Sequence, residues 1–124
     1  TIASAGADND IKLWNTDTGE QRRTITGYNK QVTDVDYVGV QDIIVTAGGD
    51  SQVRTFNGNN GSPRRPFAGS TDFVYAVVAS RDEAIVVSAG EDGVIRVWNG
   101  TNGQVITTFE PPVPESEAET AAVN

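Results

Sequence analysis

The chain alternates short apolar runs with polar, glycine-rich breaks. Within each run the apolar residues recur at every second position. Segment 94–98 sets Val94, Arg96 and Trp98 on one side and Ile95 and Val97 on the other, which is the period of a β-strand. Segment 84–89 ends in small residues and runs into Gly90-Glu91-Asp92-Gly93, a reversal whose glycines supply the positive φ of a tight turn. Asn, Gly, Thr and Asp crowd 15–20, 57–63 and 99–103, and these read as hairpin loops. The pattern predicts strands at 1–5, 10–14 and 21–26, at 32–38, 42–47, 52–56 and 64–68, and at 73–79, 84–89, 94–98 and 104–109. A helical period shows at most over 115–122, which is polar and too short to hold alone.

The strands repeat. Ser4-Ala5-Gly6-Ala7-Asp8 returns as Thr46-Ala47-Gly48-Gly49-Asp50 and again as Ser88-Ala89-Gly90-Glu91-Asp92, 42 residues apart each time. In the same register stand Ile11, Val53 and Ile95, then Lys12, Arg54 and Arg96, then Trp14, Phe56 and Trp98, and later Ile25, Phe67 and Phe109. A period of this size marks supersecondary units that bury their apolar faces only by stacking on one another. The expectation is three antiparallel sheets, the first with its opening strand missing.

Ser-Ala-Gly-Glu-Asp-Gly-Val-Ile-Arg-Val-Trp-Asn (88–99) and Ser-Ala-Gly-Ala-Asp-Asn-Asp-Ile-Lys-Leu-Trp-Asn (4–15) resemble the core of a WD40 repeat. The resemblance runs over 1–110. It implies an all-β fold of β-propeller blades, each of four antiparallel strands, around a channel. The chain then divides into a partial blade (1–27), two blades (28–69 and 70–110) and an acidic, disordered tail (111–124). The resemblance also implies a hydrogen-bonded tetrad in each blade. Its Ser/Thr falls on Ser4, Thr46 and Ser88, its Asp on Asp8, Asp50 and Asp92, and its aromatic on Trp14, Phe56 and Trp98. The tetrad His is missing, because Gly27-Tyr28 and Gly69-Ser70 stand where Gly-His is expected. Phe56 has no indole N–H to donate. We read each Asp as accepting from turn amides and stapling its turn, since a carboxylate left unsatisfied in the interior costs about 1–3 kcal/mol.

Propellers close with four to eight blades, and fewer than three complete ones are present. A lone arc leaves two apolar faces in water. The expectation is therefore a portion of a longer propeller, in keeping with a chain that opens without Met on strand-like residues, or a subunit that associates with copies of itself. In the family, partners dock on the loops before the first strand and after the second. Carried over, these positions are Tyr28, Lys30, Gln31 and Thr33 in one blade, and Asp72, Phe73, Tyr75 and Glu91 in the next. Phe73 and Tyr75 flank Val74 and so share the face opposite it. They read either as anchors of a protein interface or as packing against the neighbouring blade.

Composition removes most chemistry. The chain has no Cys and no His, which excludes disulfides, thiolate nucleophiles and imidazole bases or ligands. Asp34 and Asp36, two residues apart on one strand, read as a solvated face. A carboxylate acid–base pair of the glycosidase kind is the competing reading. The formal charge is −8, from 17 acidic and 9 basic residues. The basic doublets Arg22-Arg23 and Arg64-Arg65 are one repeat position seen twice, so no nucleic-acid partner is expected. No apolar run reaches 18 residues, so no membrane partner is expected. No metal or cofactor is called for, and no signal assigns a compartment beyond the cytoplasm as a default. The function expected is a non-catalytic scaffold binding a protein or peptide. The alternatives are an enzyme using channel carboxylates, or a regulatory domain of a larger enzyme.

Overall fold

A computed structural model describes residues 1–39 and 41–112. Nearly all of the predicted tail, from residue 113, lies outside the described residues. Among the described residues eleven strands follow one another: β1 (Ile2–Ala5), β2 (Ile11–Trp14), β3 (Gln21–Ile25), β4 (Val32–Tyr37), β5 (Ile43–Gly48), β6 (Val53–Asn57), β7 (Pro63–Phe67), β8 (Val74–Ala79), β9 (Ile85–Gly90), β10 (Ile95–Asn99) and β11 (Val105–Phe109). They form three antiparallel sheets, β1-β2-β3, β4-β5-β6-β7 and β8-β9-β10-β11. Among the described residues there is no helix. Strand ends fall within a residue or so of the positions that alternation predicts.

The outer hairpins show why the repeat is kept. Asn15, Asn57 and Asn99 each turn a side-chain oxygen back onto two backbone N–H groups, at 2.8 and 3.2 Å for Asn15, 2.9 and 3.0 Å for Asn57, and 2.8 and 3.2 Å for Asn99. This is an Asx turn. Gly19, Gly61 and Gly103 then take φ of 73°, 75° and 75°, a conformation that costs a side chain bearing Cβ.

Two cores lie between the three sheets. Ile11, Leu13 and Ile25 of the first sheet pack with Val32, Ile44, Phe56 and Tyr28. Val45, Ala47, Val53 and Phe67 of the second pack with Val74, Val77, Val86 and Trp98 of the third. The two interfaces are one interface repeated, because Ile11 corresponds to Val53, Ile25 to Phe67, Ile44 to Val86 and Phe56 to Trp98. The third copy of the first face is uncovered. Ile95 and Phe109, which correspond to Val53 and Phe67, are 42% and 58% exposed.

The covering work is done by the first strand of each following sheet. β4 lies on β1, and β8 lies on β5 and β4. Both strands carry a bulge near their start, between Val32 and Asp34 and between Val74 and Ala76. The inner strands are joined by side chains, since the Thr33 hydroxyl donates to the Val74 carbonyl and Asp34 Oδ2 accepts the Val77 N–H at 2.9 Å.

Candidate functional site

Each sheet carries a turn Asp after its second strand, or, in the first sheet, after β1. Asp8 accepts from the Asp10 N–H at 3.3 Å, Asp50 from Gln52 at 3.1 Å, and Asp92 from Val94 at 3.0 Å. The second carboxylate oxygen finds a different partner in each turn. Asp8 pairs with Lys12. Asp92 pairs with Arg96 at 2.7 Å and accepts from the Thr71 hydroxyl at 3.1 Å. Burial pushes the Asp92 carboxyl up, but the Val94 N–H, Arg96 and Thr71 together hold it below the usual carboxylate value. Asp8 is held low chiefly by its bond from Lys12.

The middle turn is wired otherwise. Arg54 occupies the position of Lys12 and Arg96 but leaves Asp50. Its guanidinium lies 4.6 Å from the centroid of Tyr28 and donates to the Gly27 carbonyl at 3.1 Å. Asp50 accepts instead from the Asn29 N–H at 2.9 Å. Tyr28 is buried, and its hydroxyl is bonded to the Thr46 hydroxyl, which in turn donates to the Arg54 carbonyl at 3.2 Å. A phenol thus fills the place where the resemblance has an imidazole, beneath a cation that stacks on its face. Sequence reasoning missed this pair. Its signal was Tyr at the His position together with Arg at position 54.

Burial pushes the Tyr28 phenol up to about 12. The folded state keeps this proton after an unfolded tyrosine, near 10, has lost it, so the contribution is complete below pH 10 and is lost as pH rises towards 12. Tyr28→Phe is expected to cost about 1 kcal/mol at neutral pH. Urea titrations should show that deficit narrowing between pH 10 and 12, whereas a constant deficit would place the Tyr28 hydroxyl in water.

The aromatic tetrad positions also differ from one another. Trp14 Nε1 donates to Ser4 Oγ at 2.9 Å. Trp98 Nε1 donates not to Ser88 but to the Ala68 carbonyl at 2.9 Å, and its ring stands 5.8 Å from that of Phe67. Ser70 Oγ, at the second missing-His position, is buried and has no partner among the described residues.

The candidate docking residues divide into two groups. Lys30 and Gln31 are exposed on the loop before β4, beside buried Tyr28 and half-buried Thr33. Around β8, the Phe73 and Tyr75 rings lie 5.4 Å apart. Phe73 is half-buried and covers Gly49, where a Cβ would overlap its ring. Tyr75 is 53% exposed and donates its hydroxyl to Glu91, a bond that raises its proton affinity. Asp72, also exposed, accepts from the Phe73 N–H at 2.7 Å. The structure thus brings Asp72, Phe73, Tyr75 and Glu91 into one rim cluster.

Asp34 is engaged by the Val77 N–H, and Asp36 points to solvent. No group of three or more metal-ligating side chains occurs among the described residues.

Antiparallel sheets stacked face to face, with the same Ser/Thr, Asp and aromatic positions recurring in each, define the blades of a propeller-type repeat protein. The chain belongs to the WD40 family. The family's model, described as "WD domain, G-beta repeat", matches residues 19–57 and 61–99. Each match takes in the outer strand of one sheet and the first three strands of the next, so the sequence repeat links neighbouring blades covalently. The nuclear distribution protein nudF of Aspergillus flavus and that of Aspergillus oryzae each share 42% identity with the chain over 45 residues. That segment is 36% of this chain and 10% of either relative, so the match spans about a tenth of the relatives' length. WD40 repeats are generally protein-interaction scaffolds.

Proposed function

We propose that the chain is a non-catalytic scaffold that takes a protein or peptide partner on its rim, with Tyr75 as the anchor and Asp72, Phe73 and Glu91 around it. The supporting observation is the Tyr75 ring, more than half exposed, tilted against Phe73 and hydrogen-bonded to Glu91. A rigid aromatic held beside two carboxylates offers contact area at little entropic cost. The acidic setting favours a basic or amide-rich peptide. Tyr28, Lys30, Gln31 and Thr33 extend the surface towards the second blade, with Tyr28 supporting the loop from below. The turn aspartates Asp8, Asp50 and Asp92 serve as staples. In this reading the blades divide as 1–27, 28–69 and 70–110. The nudF match has about the length of one repeat, so it supports the repeat and carries no partner.

A displayed peptide library panned on the full chain tests the rim. Selected peptides should bind Tyr75→Ala at least tenfold more weakly, while the exposed site leaves the melting temperature in place. Peptides that hold equally well to both chains would sink the rim reading.

A further inference from the structure

The junction between the first two sheets is less filled than the one after it. Trp98 and Phe67 meet between the second and third sheets, and the Trp98 indole donates to the Ala68 carbonyl at 2.9 Å. One repeat earlier the same positions hold Phe56, Ile25 and Thr26. Phe56 and Ile25 are both smaller than their counterparts. Phe56 also has no N–H to give, so the Thr26 carbonyl lacks the indole donor that Ala68 has. A hollow of about 290 Å³ opens at this place, with Phe56, Pro63 and Pro66 as its apolar lining and Thr26 beside them.

Arg54, Arg64 and Arg65 complete the lining, and no acidic residue among the described ones belongs to it. Two of these cations are engaged. Arg54 is held by the Tyr28 ring and the Gly27 carbonyl, and Arg64 pairs with Glu83 at 3.0 Å. Arg65 makes no ion pair among the described residues. Pro63 and Pro66 have no N–H, so this stretch of β7 offers little ladder to an added strand. Whatever enters the hollow binds by its side chain.

We propose that the hollow is a docking site for a tryptophan side chain of a partner peptide, with an acidic residue next to that tryptophan. The ring lies against Phe56 and the two prolines. Its N–H donates to the Thr26 carbonyl, as Trp98 donates to Ala68 from within the chain. The neighbouring carboxylate pairs with Arg65. The argument for this occupant is complementarity in shape and charge. The third repeat shows that an indole fits the equivalent place, and the three arginines favour an anion beside it. The inference is independent of the rim reading, because none of Asp72, Phe73, Tyr75 and Glu91 lines the hollow. The charge preference of the two places is opposite.

The probe is the peptide acetyl-Glu-Glu-Trp-Glu-Glu-amide, titrated calorimetrically into the full 124-residue chain. It should bind one to one. Replacing its Trp by Phe should weaken binding at least fivefold, and replacing its four Glu by Gln at least tenfold. Phe56→Trp in the chain fills the hollow and should weaken binding at least tenfold without lowering the melting temperature. Pro66→Glu, at an exposed position, sets a carboxylate among the arginines and should weaken binding to the same degree. It keeps the test open should Phe56→Trp fail to fold. Tyr75→Ala should change nothing. No binding at millimolar peptide, equal binding of the Trp and Phe peptides, or binding indifferent to Pro66→Glu would each overturn the proposal. So would loss of binding in Tyr75→Ala, which would move the peptide to the rim.

Discussion

Val45→Asp is expected to leave the chain largely unfolded at 25 °C. Val45 has no exposed surface and sits in the core between the second and third sheets, among Ala47, Val53, Val77 and Trp98. Among the described residues no cationic side chain is buried. A carboxylate there either stays charged without a partner or takes up a proton against its ordinary value. An uncompensated buried charge costs on the order of 3–5 kcal/mol, and the lost methyl contacts add to it. A small domain holds about 5–15 kcal/mol in all. Circular dichroism and urea titration would read the loss, and a midpoint within about 1 kcal/mol of the wild type would contradict the packing described.

Trp98→Ala comes next in size. Trp98 is the largest fully buried side chain. It packs on Phe67, and its indole N–H satisfies the Ala68 carbonyl across the blade junction. Removing an aromatic from such a site costs about 3–5 kcal/mol. Between the roughly 4–8 °C per kcal/mol of a 60–100-residue domain and the roughly 2–4 °C of a 150–250-residue one, the melting temperature should fall by about 10 °C or more. Trp98→Phe puts at position 98 the residue that the middle repeat carries at Phe56. It should recover most of the loss, leaving about 1 kcal/mol for the absent donor. A melting temperature unchanged in Trp98→Ala would mean that the second and third sheets are not held together at this point.

The strands were legible because two signals agreed. Alternation gave their period, and the 42-residue repeat cross-checked their ends, so that Val53 and Ile95 or Phe67 and Phe109 confirm one another. The bulges in β4 and β8 were not legible. The extra residues there include Thr33 and Tyr75, and no Gly or Asn marks them, because a bulge near αR needs no special side chain. The rewired middle turn was hidden for a different reason. Arg54 matches Lys12 and Arg96 as a cation, and the Tyr28 ring and the Gly27 carbonyl hold it away from Asp50.

Phe73 and Tyr75 differ in their surroundings. Phe73 packs on Gly49 of the neighbouring blade, while Tyr75 is left exposed. Position 49 held the clue, because the corresponding residues are Ala7 and Glu91, and only the middle repeat has a second Gly to admit a ring. What the proposed rim site would bind is not written in the period at all. Repeats encode how blades stack, and partner choice sits in the positions where repeats differ.

The paired substitution of Val45 and Val87 tests that picture most directly. The two residues occupy one repeat position on one strand type, and only the presence of a covering strand separates them. At low protein concentration, Val45→Asp should abolish cooperative unfolding. Val87→Asp, at a position half-buried within its own sheet but with no strand over it, should keep a cooperative transition at a urea midpoint between those of Val45→Asp and the wild type. Equal damage at both positions would show that the third face is already buried in the lone chain, and equal tolerance would show that the second is not.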